Sequence, residues 1–173
     1  MKLLIASDIH GSALFCELLV KAFESEKADR LILLGDILYH GPRNDLPQGY
    51  APKRVIEMLN PLKDKITCVR GNCEAEVDQM VLDFPVMDDY FVLPLGEKNA
   101  FATHGHIYNP EKLPSLNNWD ILLNGHTHIP KCEEYEGFIY MNPGSVSIPK
   151  ENSVHSYMVF ENNEFLWKNL ENG

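Results

Sequence analysis

Apolar residues fall in short unbroken runs at residues 3–6, 31–34, 66–69, 100–103 and 121–123. Runs this short, without polar alternation, predict strands buried on both faces of an α/β sheet. Helical spacing separates the first three. Residues 12–27 set Leu14, Leu18, Ala22 and Phe23 along one stripe, with Ser12 as N-cap. Residues 52–59 open on Pro52 and carry Val55, Ile56 and Leu59 on one side. A third short helix is expected over 74–82. The last third of the chain changes character. Residues 131–136, 137–141, 156–161 and 164–168 read as strands, with tight turns at Glu136-Gly137 and Asn162-Asn163. Parallel βαβ elements therefore come first and antiparallel strands come after them. No repeat, linker or low-complexity tract interrupts them, so residues 1–173 read as one domain. The least regular stretch, 39–51, holds Gly41, Pro42, Pro47 and Gly49. A loop of about a dozen residues in so small a chain suggests a functional role.

Composition narrows the partners. The 173 residues are 45% hydrophobic and 23% charged, which excludes a disordered chain. The formal charge is −10. Phosphate-backbone binding needs Lys and Arg to release counterions, so nucleic acid is not the expected partner, nor is an anionic membrane. An anionic ligand would need local positive charge, which bound cations can provide. Cys16, Cys68, Cys73 and Cys132 form no C-x-x-C pair, and Asp8 ends the first apolar run too early for a signal segment. Reduced thiols and a cytoplasmic setting are the resulting expectations.

The chemistry sits just past the apolar runs. The first run leads into Asp8 and His10, the second into Asp36, the third into Asn72, the fourth into His104, and the fifth into His126 and His128. In open α/β sheets, sites form at the carboxyl ends of strands. Each piece alone has an ordinary structural reading as a cap, a turn or a surface histidine. Their joint occurrence, in order and each after an apolar run, points to a site. Two Asp, four His and one Asn suit borderline to hard divalent ions and not a thiolate-rich structural zinc site. Seven donors exceed what one ion draws from a protein. With one carboxylate bridging, they divide into two groups of four around a metal pair.

The order Asp8-Ile9-His10, Gly35-Asp36, Gly71-Asn72-Cys73-Glu74, His104-Gly105-His106 and Gly125-His126-Thr127-His128 resembles the calcineurin-like metallophosphoesterase superfamily. The stretches His40–Asn44, Val69–Cys73, Val77–Met80 and Asn142–Pro149 resemble its small bacterial YfcE-type phosphodiesterases. The resemblance implies a four-layer αββα sandwich of two mixed β-sheets flanked by helices. It implies Asp8, His10 and His128 on a first metal, Asn72, His104 and His126 on a second, and Asp36 bridging both. Asp36, Asn72 and His104 are then the catalytic residues. The implied cofactors are two divalent metal ions, Mn²⁺ foremost, with Zn, Fe, Ni or Mg as alternatives. The implied reaction is hydrolysis of a small phosphate ester, a diester first, by a metal-bridging hydroxide. A homo-oligomer is implied as well.

Arg43, Cys73 and His106 are expected on the substrate side. Arg43 offers a fork of donors to a phosphate. Cys73 stands where many members of the superfamily carry a histidine, and a thiol is a poor proton donor to a leaving group. Glu74 is expected to cap a helix or orient a neighbour, and Met80 to pack. Two other readings compete: a phosphomonoesterase or protein phosphatase, and a non-catalytic protein-binding scaffold of the same fold, as in the eukaryotic retromer. A scaffold is expected to lose ligands, and here all seven positions hold competent ones.

Overall fold

The computed structural model describes residues 1–115 and 118–172. In chain order its elements are β1 (Leu3–Ala6), α1 (Ala13–Ser25), β2 (Arg30–Leu33), α2 (Pro52–Leu59), β3 (Ile66–Cys68), α3 (Glu76–Gln79), β4 (Tyr90–Leu95), β5 (Lys98–Thr103), β6 (Ile121–Leu123), β7 (Pro130–Tyr135), β8 (Phe138–Pro143), β9 (Ser156–Glu161) and β10 (Glu164–Asn169). The strands form two five-stranded sheets, ordered β10-β9-β1-β2-β3 and β4-β5-β6-β8-β7. Each has a parallel centre, β1-β2-β3 in one and β5-β6-β8 in the other, with antiparallel strands added outside.

The unbroken apolar runs have a direct cause. In β1, Leu4 and Ala6 face the helices while Leu3 and Ile5 face the second sheet. Both faces are dry, so no position can be polar. The inter-sheet core joins Leu3, Ile5, Ile32 and Leu34 to Ala100, Ala102, Ile121 and Leu123. Helix α1 starts at Ser12, whose side chain accepts from the Phe15 N–H. Its buried stripe is Phe15, Cys16, Leu19, Ala22 and Phe23, rotated from the expected one, and Leu14 is 39% exposed. Both stripes are apolar, and burying two phenyl rings wins.

Three further differences concern local elements. The expected helix over 74–82 shrinks to α3, because Glu74 is drawn into the strand-end loops and the Ala75 N–H is capped by Asp78 Oδ2 at 2.9 Å. Met80 is 82% exposed and does not pack. Strand β4 escapes the pattern because Pro94 interrupts it, which an edge strand tolerates. The two-sheet core is as the resemblance implies, and α1 and α2 layer the first sheet. On the outer face of the second sheet, Phe101, Leu122 and Tyr140 pack under Tyr108 and Trp119, with no helix there among the described residues. No helix is long and apolar enough to cross a membrane.

Gly125 lets the loop after β6 press against the end of β1. A Cβ there would meet Ser7 Cβ at 2.7 Å and Asp8 Oδ2 at 2.8 Å. Overpacking of this kind costs about 1–3 kcal/mol. Gly125→Ala is therefore expected to lower Tm by several degrees in thermal melts, and an unchanged Tm would show that the loop after β6 can move away from β1 without cost.

Candidate metal centre

All seven predicted ligands lie at one end of the sandwich, on the loops that leave β1, β2, β3, β5 and β6. The loops stay paired beyond the strands. Asp8 N–H donates to Gly35 O at 3.1 Å, His10 N–H to Asp36 O at 2.9 Å, and Gly125 N–H to His104 O at 2.8 Å. Five of the seven, Asp8, His10, Asp36, His126 and His128, adopt positive φ between 48° and 65°. Asp and His tolerate this region better than most residues, yet it remains strained and clusters at functional sites. Gly35, at φ 91°, allows close approach: a Cβ there would meet Gly71 N at 2.5 Å.

The donors converge in two groups. Asp8 Oδ1 lies 3.5 Å from His10 Nε2 and 3.2 Å from His128 Nε2, and those two nitrogens are 3.1 Å apart. His104 Nε2 lies 3.1 Å from Asn72 Oδ1 and 3.2 Å from His126 Nδ1. Asp36 Oδ2 stands between the groups, 3.7 Å from His10 Nε2 and 3.4 Å from His104 Nε2.

The surroundings fix which atoms face inward. Carbonyls only accept, so His10 Nδ1 donates to Tyr39 O at 2.8 Å, His104 Nδ1 to Leu34 O at 2.6 Å, and His128 Nδ1 to Ile148 O at 2.6 Å. Once its Nε2 proton is lost, each ring aims an Nε2 lone pair into the centre, as metal-bound imidazoles do. Each carboxylate has one oxygen tied by a backbone N–H: Asp8 Oδ2 by His126 at 3.0 Å, and Asp36 Oδ1 by Cys73 at 2.9 Å. Asp8 Oδ1 is buried without a hydrogen-bond partner. Facing lone pairs around an unpartnered carboxylate oxygen repel one another unless a cation sits among them. The residues present fit divalent metal ions.

Electrostatics agrees. Burial acts to raise the Asp8 carboxyl, but the imidazoles of His10 and His128 outweigh it and hold it well below its ordinary value. Asp36 is lowered against burial by His104. Burial acts to lower His104, but Asp36 and Asp8 drive it up to about 9. Burial and the charge of His104 bring His126 down to about 4. The same two causes lower His106. The centre thus favours positive charge between its carboxylates.

The substrate-side residues separate. Arg43 and Cys73 line a cleft of about 400 Å³ over Asp36, Asn72, His126 and His128. Cys73 Sγ, a His10 nitrogen and an Asp36 oxygen lie within 4.8 Å of one another. Burial and the Asp36 charge raise the Cys73 thiol far above its ordinary value in the metal-free protein. His106 does not line this cleft. It stands behind His104, ring centroids 5.4 Å apart, on a neighbouring pocket.

Sequence reasoning left out several contributors. Glu74 is 4% exposed and accepts the N–H groups of Asp36 at 2.9 Å, Ile37 at 2.6 Å and Gly71 at 2.5 Å. Its place in the Gly71–Glu74 run was visible, but not this clamp. Ser145 and Ser147 Oγ both donate to Asp8 O, at 2.9 and 3.1 Å. Lys150 adds a second cationic residue to the cleft lining, and nothing in the sequence marked it.

Two mixed sheets carrying such a centre at their strand ends define a metal-dependent phosphoric ester hydrolase. The chain belongs to the calcineurin-like phosphoesterase superfamily, whose domain matches residues 1–164. It is 49% identical over 162 residues to phosphodiesterase YfcE of Escherichia coli K12, covering 94% of this chain and 88% of that protein. The solved structure of the E. coli phosphoesterase YfcE superposes with a TM-score of 0.95 at 46% identity, covering 99% of this chain and 94% of that one. Vacuolar protein sorting 29 from Cryptosporidium parvum shares the fold, with a TM-score of 0.63 and 17% identity over 96% of this chain and 95% of that one.

Because His104 is held up to about 9, it carries a proton at pH 7.5 in the metal-free protein. Metal entry must displace that proton. Apparent metal affinity is therefore expected to rise with pH toward about 9 and to level off above it. Calorimetric titration of Mn²⁺ at pH 7.5, in buffers of differing ionisation enthalpy, should show release of about one proton per protein or more. Heats that do not depend on the buffer would contradict the charge state assigned to His104.

Proposed function

We propose that this protein hydrolyses phosphodiesters with two divalent cations, Mn²⁺ foremost. Asp8, His10 and His128 hold one ion; Asn72, His104 and His126 hold the other; Asp36 serves both. The observation that carries this reading is Asp36 Oδ2, within 3.7 Å of His10 Nε2 and 3.4 Å of His104 Nε2. Mixed imidazole, carboxylate and amide donors without a thiolate support Mn²⁺. When bound, such ions supply charge neutralisation to a phosphoryl group and lower the pKa of the attacking water.

The chain's own residues do the rest. The carbonyls of Tyr39, Leu34 and Ile148 hold three imidazoles in the ligating tautomer. Arg43 and Lys150 bring positive charge to the cleft of a chain whose formal charge is −10, and so attract and orient an anionic ester. Cys73, a protonated thiol with a raised pKa, is a weak acid beside the reacting centre, so leaving groups that depart unaided react best.

Diesters are favoured over monoesters on two grounds. The relative at 49% identity is a phosphodiesterase. The cleft also opens on two sides. Past Cys73 lies an apolar groove of about 380 Å³ with Tyr39, Tyr50, Ile56 and Val77 on its walls. Past His126 and Thr127 lies a polar pocket of about 540 Å³. Two openings suit an ester with two arms. The scaffold reading is weaker, because every ligand position is filled. Four free thiols suit a reducing, cytoplasmic setting, and a homo-oligomer stays part of the proposal.

Three outcomes are expected. The Mn²⁺-loaded protein should turn over bis-p-nitrophenyl phosphate with a higher kcat/KM than p-nitrophenyl phosphate. Asp36→Asn should lose more of that activity, and more bound metal by elemental analysis, than His10→Ala, because it weakens both sites. Full metal content and normal turnover in Asp36→Asn would sink the shared-ligand assignment. Arg43→Ala should raise KM by about tenfold while kcat changes little, the pattern of lost uniform binding. Unchanged KM for every active diester would leave the 39–51 loop a structural element.

A further inference from the structure

The seven candidate ligands include no sulfur, yet a thiol stands against them. Cys73 Sγ clusters with a His10 nitrogen and an Asp36 oxygen, all three atoms within 4.8 Å of one another. A tetrahedral ion with bonds of about 2.0–2.3 Å sets its donors about 3.4–3.6 Å apart. Closing this cluster on one ion therefore asks for a movement of about 1 Å. Cys73 is half-buried on the wall of the open cleft, where its side chain has room to turn.

Two contacts hold the sulfur beside the centre. Cys73 N–H donates to Asp36 Oδ1 at 2.9 Å, which pins the residue to the carboxylate whose Oδ2 faces His10 and His104. Asn72 Nδ2 donates to Cys73 Sγ at 3.2 Å, while Asn72 Oδ1 faces His104 Nε2 at 3.1 Å. Sγ thus already stands as an acceptor, the role a ligating sulfur has. A separate observation places a cation at the same imidazole. Asp8 has no exposed surface, and its Oδ1 lies 3.5 Å from His10 Nε2, buried without a hydrogen-bond partner. An ion held by His10 therefore has an unpaired carboxylate oxygen on one side and a reachable thiol on another.

Sulfur decides which ions use it. Thiolate is a soft ligand that selects Zn²⁺, Cd²⁺ and other thiophilic ions, whereas Mn²⁺ takes oxygen donors in preference. The other thiols do not reach the centre: Cys16 and Cys68 are packed in the core between helices and first sheet, and Cys132 lies on β7 outside the cleft lining. We propose that Cys73 makes this centre discriminate among metals. A thiophilic divalent cation held by His10 and Asp36 gains Cys73 Sγ as a further ligand, and Mn²⁺ does not. In that step the S–H bond breaks, its proton passes to solvent, and a sulfur–metal bond forms with no change of oxidation state. The proposal rests on the metal-centre reading and adds a sulfur donor for one class of ion.

Cadmium is the probe. Cd²⁺ titrated into the metal-free protein should bring up an ultraviolet sulfur-to-cadmium charge-transfer band. Cys73→Ser should lose that band, and Cys132→Ser, which removes the exposed thiol, should keep it. In calorimetric titrations Cys73→Ser should bind Cd²⁺ about tenfold or more weakly than the native protein, with Mn²⁺ affinity changed by less than about twofold. The retained Mn²⁺ affinity also reports that the variant is folded. No band in the native protein, or a band that survives in Cys73→Ser, would overturn the sulfur ligand. Equal losses of Cd²⁺ and Mn²⁺ affinity would overturn the discrimination, since a residue that merely shapes the cleft loosens both ions alike. Mn²⁺ binding to a native protein that shows no cadmium band would leave the metal-centre reading intact, whereas failure of both ions to bind would overturn the two together.

Discussion

Asp36 Oδ2 has to stand between two sets of imidazole nitrogens with no backbone N–H to hold it among the described residues, and a large part of the chain serves to keep it there. Its partner oxygen is fixed by the Cys73 N–H. Its backbone is fixed from behind by Glu74, which takes the N–H groups of Asp36, Ile37 and Gly71 on one buried carboxylate. Burial and the Asp36 charge push Glu74 up to about 7, so the clamp is itself held against electrostatic resistance. Gly71 must lack a side chain for this, since a Cβ would meet Asp36 N at 2.5 Å and Glu74 Oε2 at 2.7 Å. The loops after β2 and β3 thus lock through a glycine and an acid that never touch substrate. Left-handed backbone at five ligands costs about 1–2 kcal/mol each. The packed sheets must offset that strain for the centre to exist.

The second sheet contributes more than its three histidines. The segment after β8 crosses to the end of β1, where Val146 N–H meets Ser7 O at 3.0 Å and the two serine hydroxyls cap Asp8 O. Asn142 Nδ2 holds Gly125 O at 2.7 Å, and Asn142 O accepts Trp167 Nε1 at 2.8 Å. One short stretch therefore ties the β6 loop, the β1 loop and the far strand β10 together. This explains why β9 and β10, last in the chain, return to the first sheet. The antiparallel addition of β9 beside β1 brings the crossing segment over the site.

These connections mark where sequence reasoning reaches and where it stops. The convergence of the seven candidate donors was legible because each comes after a strand buried on both faces, and such strands announce themselves as unbroken apolar runs. The sheet assignment of the C-terminal strands was not, because pairing partners are set by tertiary contacts and a one-dimensional pattern does not carry them. Strand β4 was hidden by Pro94. Glu74 was legible as a helix cap or an orienting group, but not which residues it orients, since its clamp joins residues 38 positions apart. The orphaned Asn124 Oδ1 is an absence of a partner, which only the folded arrangement can display.

His126 differs from the other candidate histidine ligands in how its ring is held. His10, His104 and His128 each have the ring's second nitrogen anchored by a carbonyl from another element. Among the described residues the His126 ring has no such carbonyl; its Nδ1 faces His104 Nε2 at 3.2 Å, and its backbone N–H is tied to Asp8. It is also the ligand that separates the metal cleft from the polar pocket. Carbonyls of the fold orient the other three rings, whereas packing and the facing His104 nitrogen orient that of His126. Of the four candidate imidazole ligands, it is therefore the one the fold pre-positions least through hydrogen bonding.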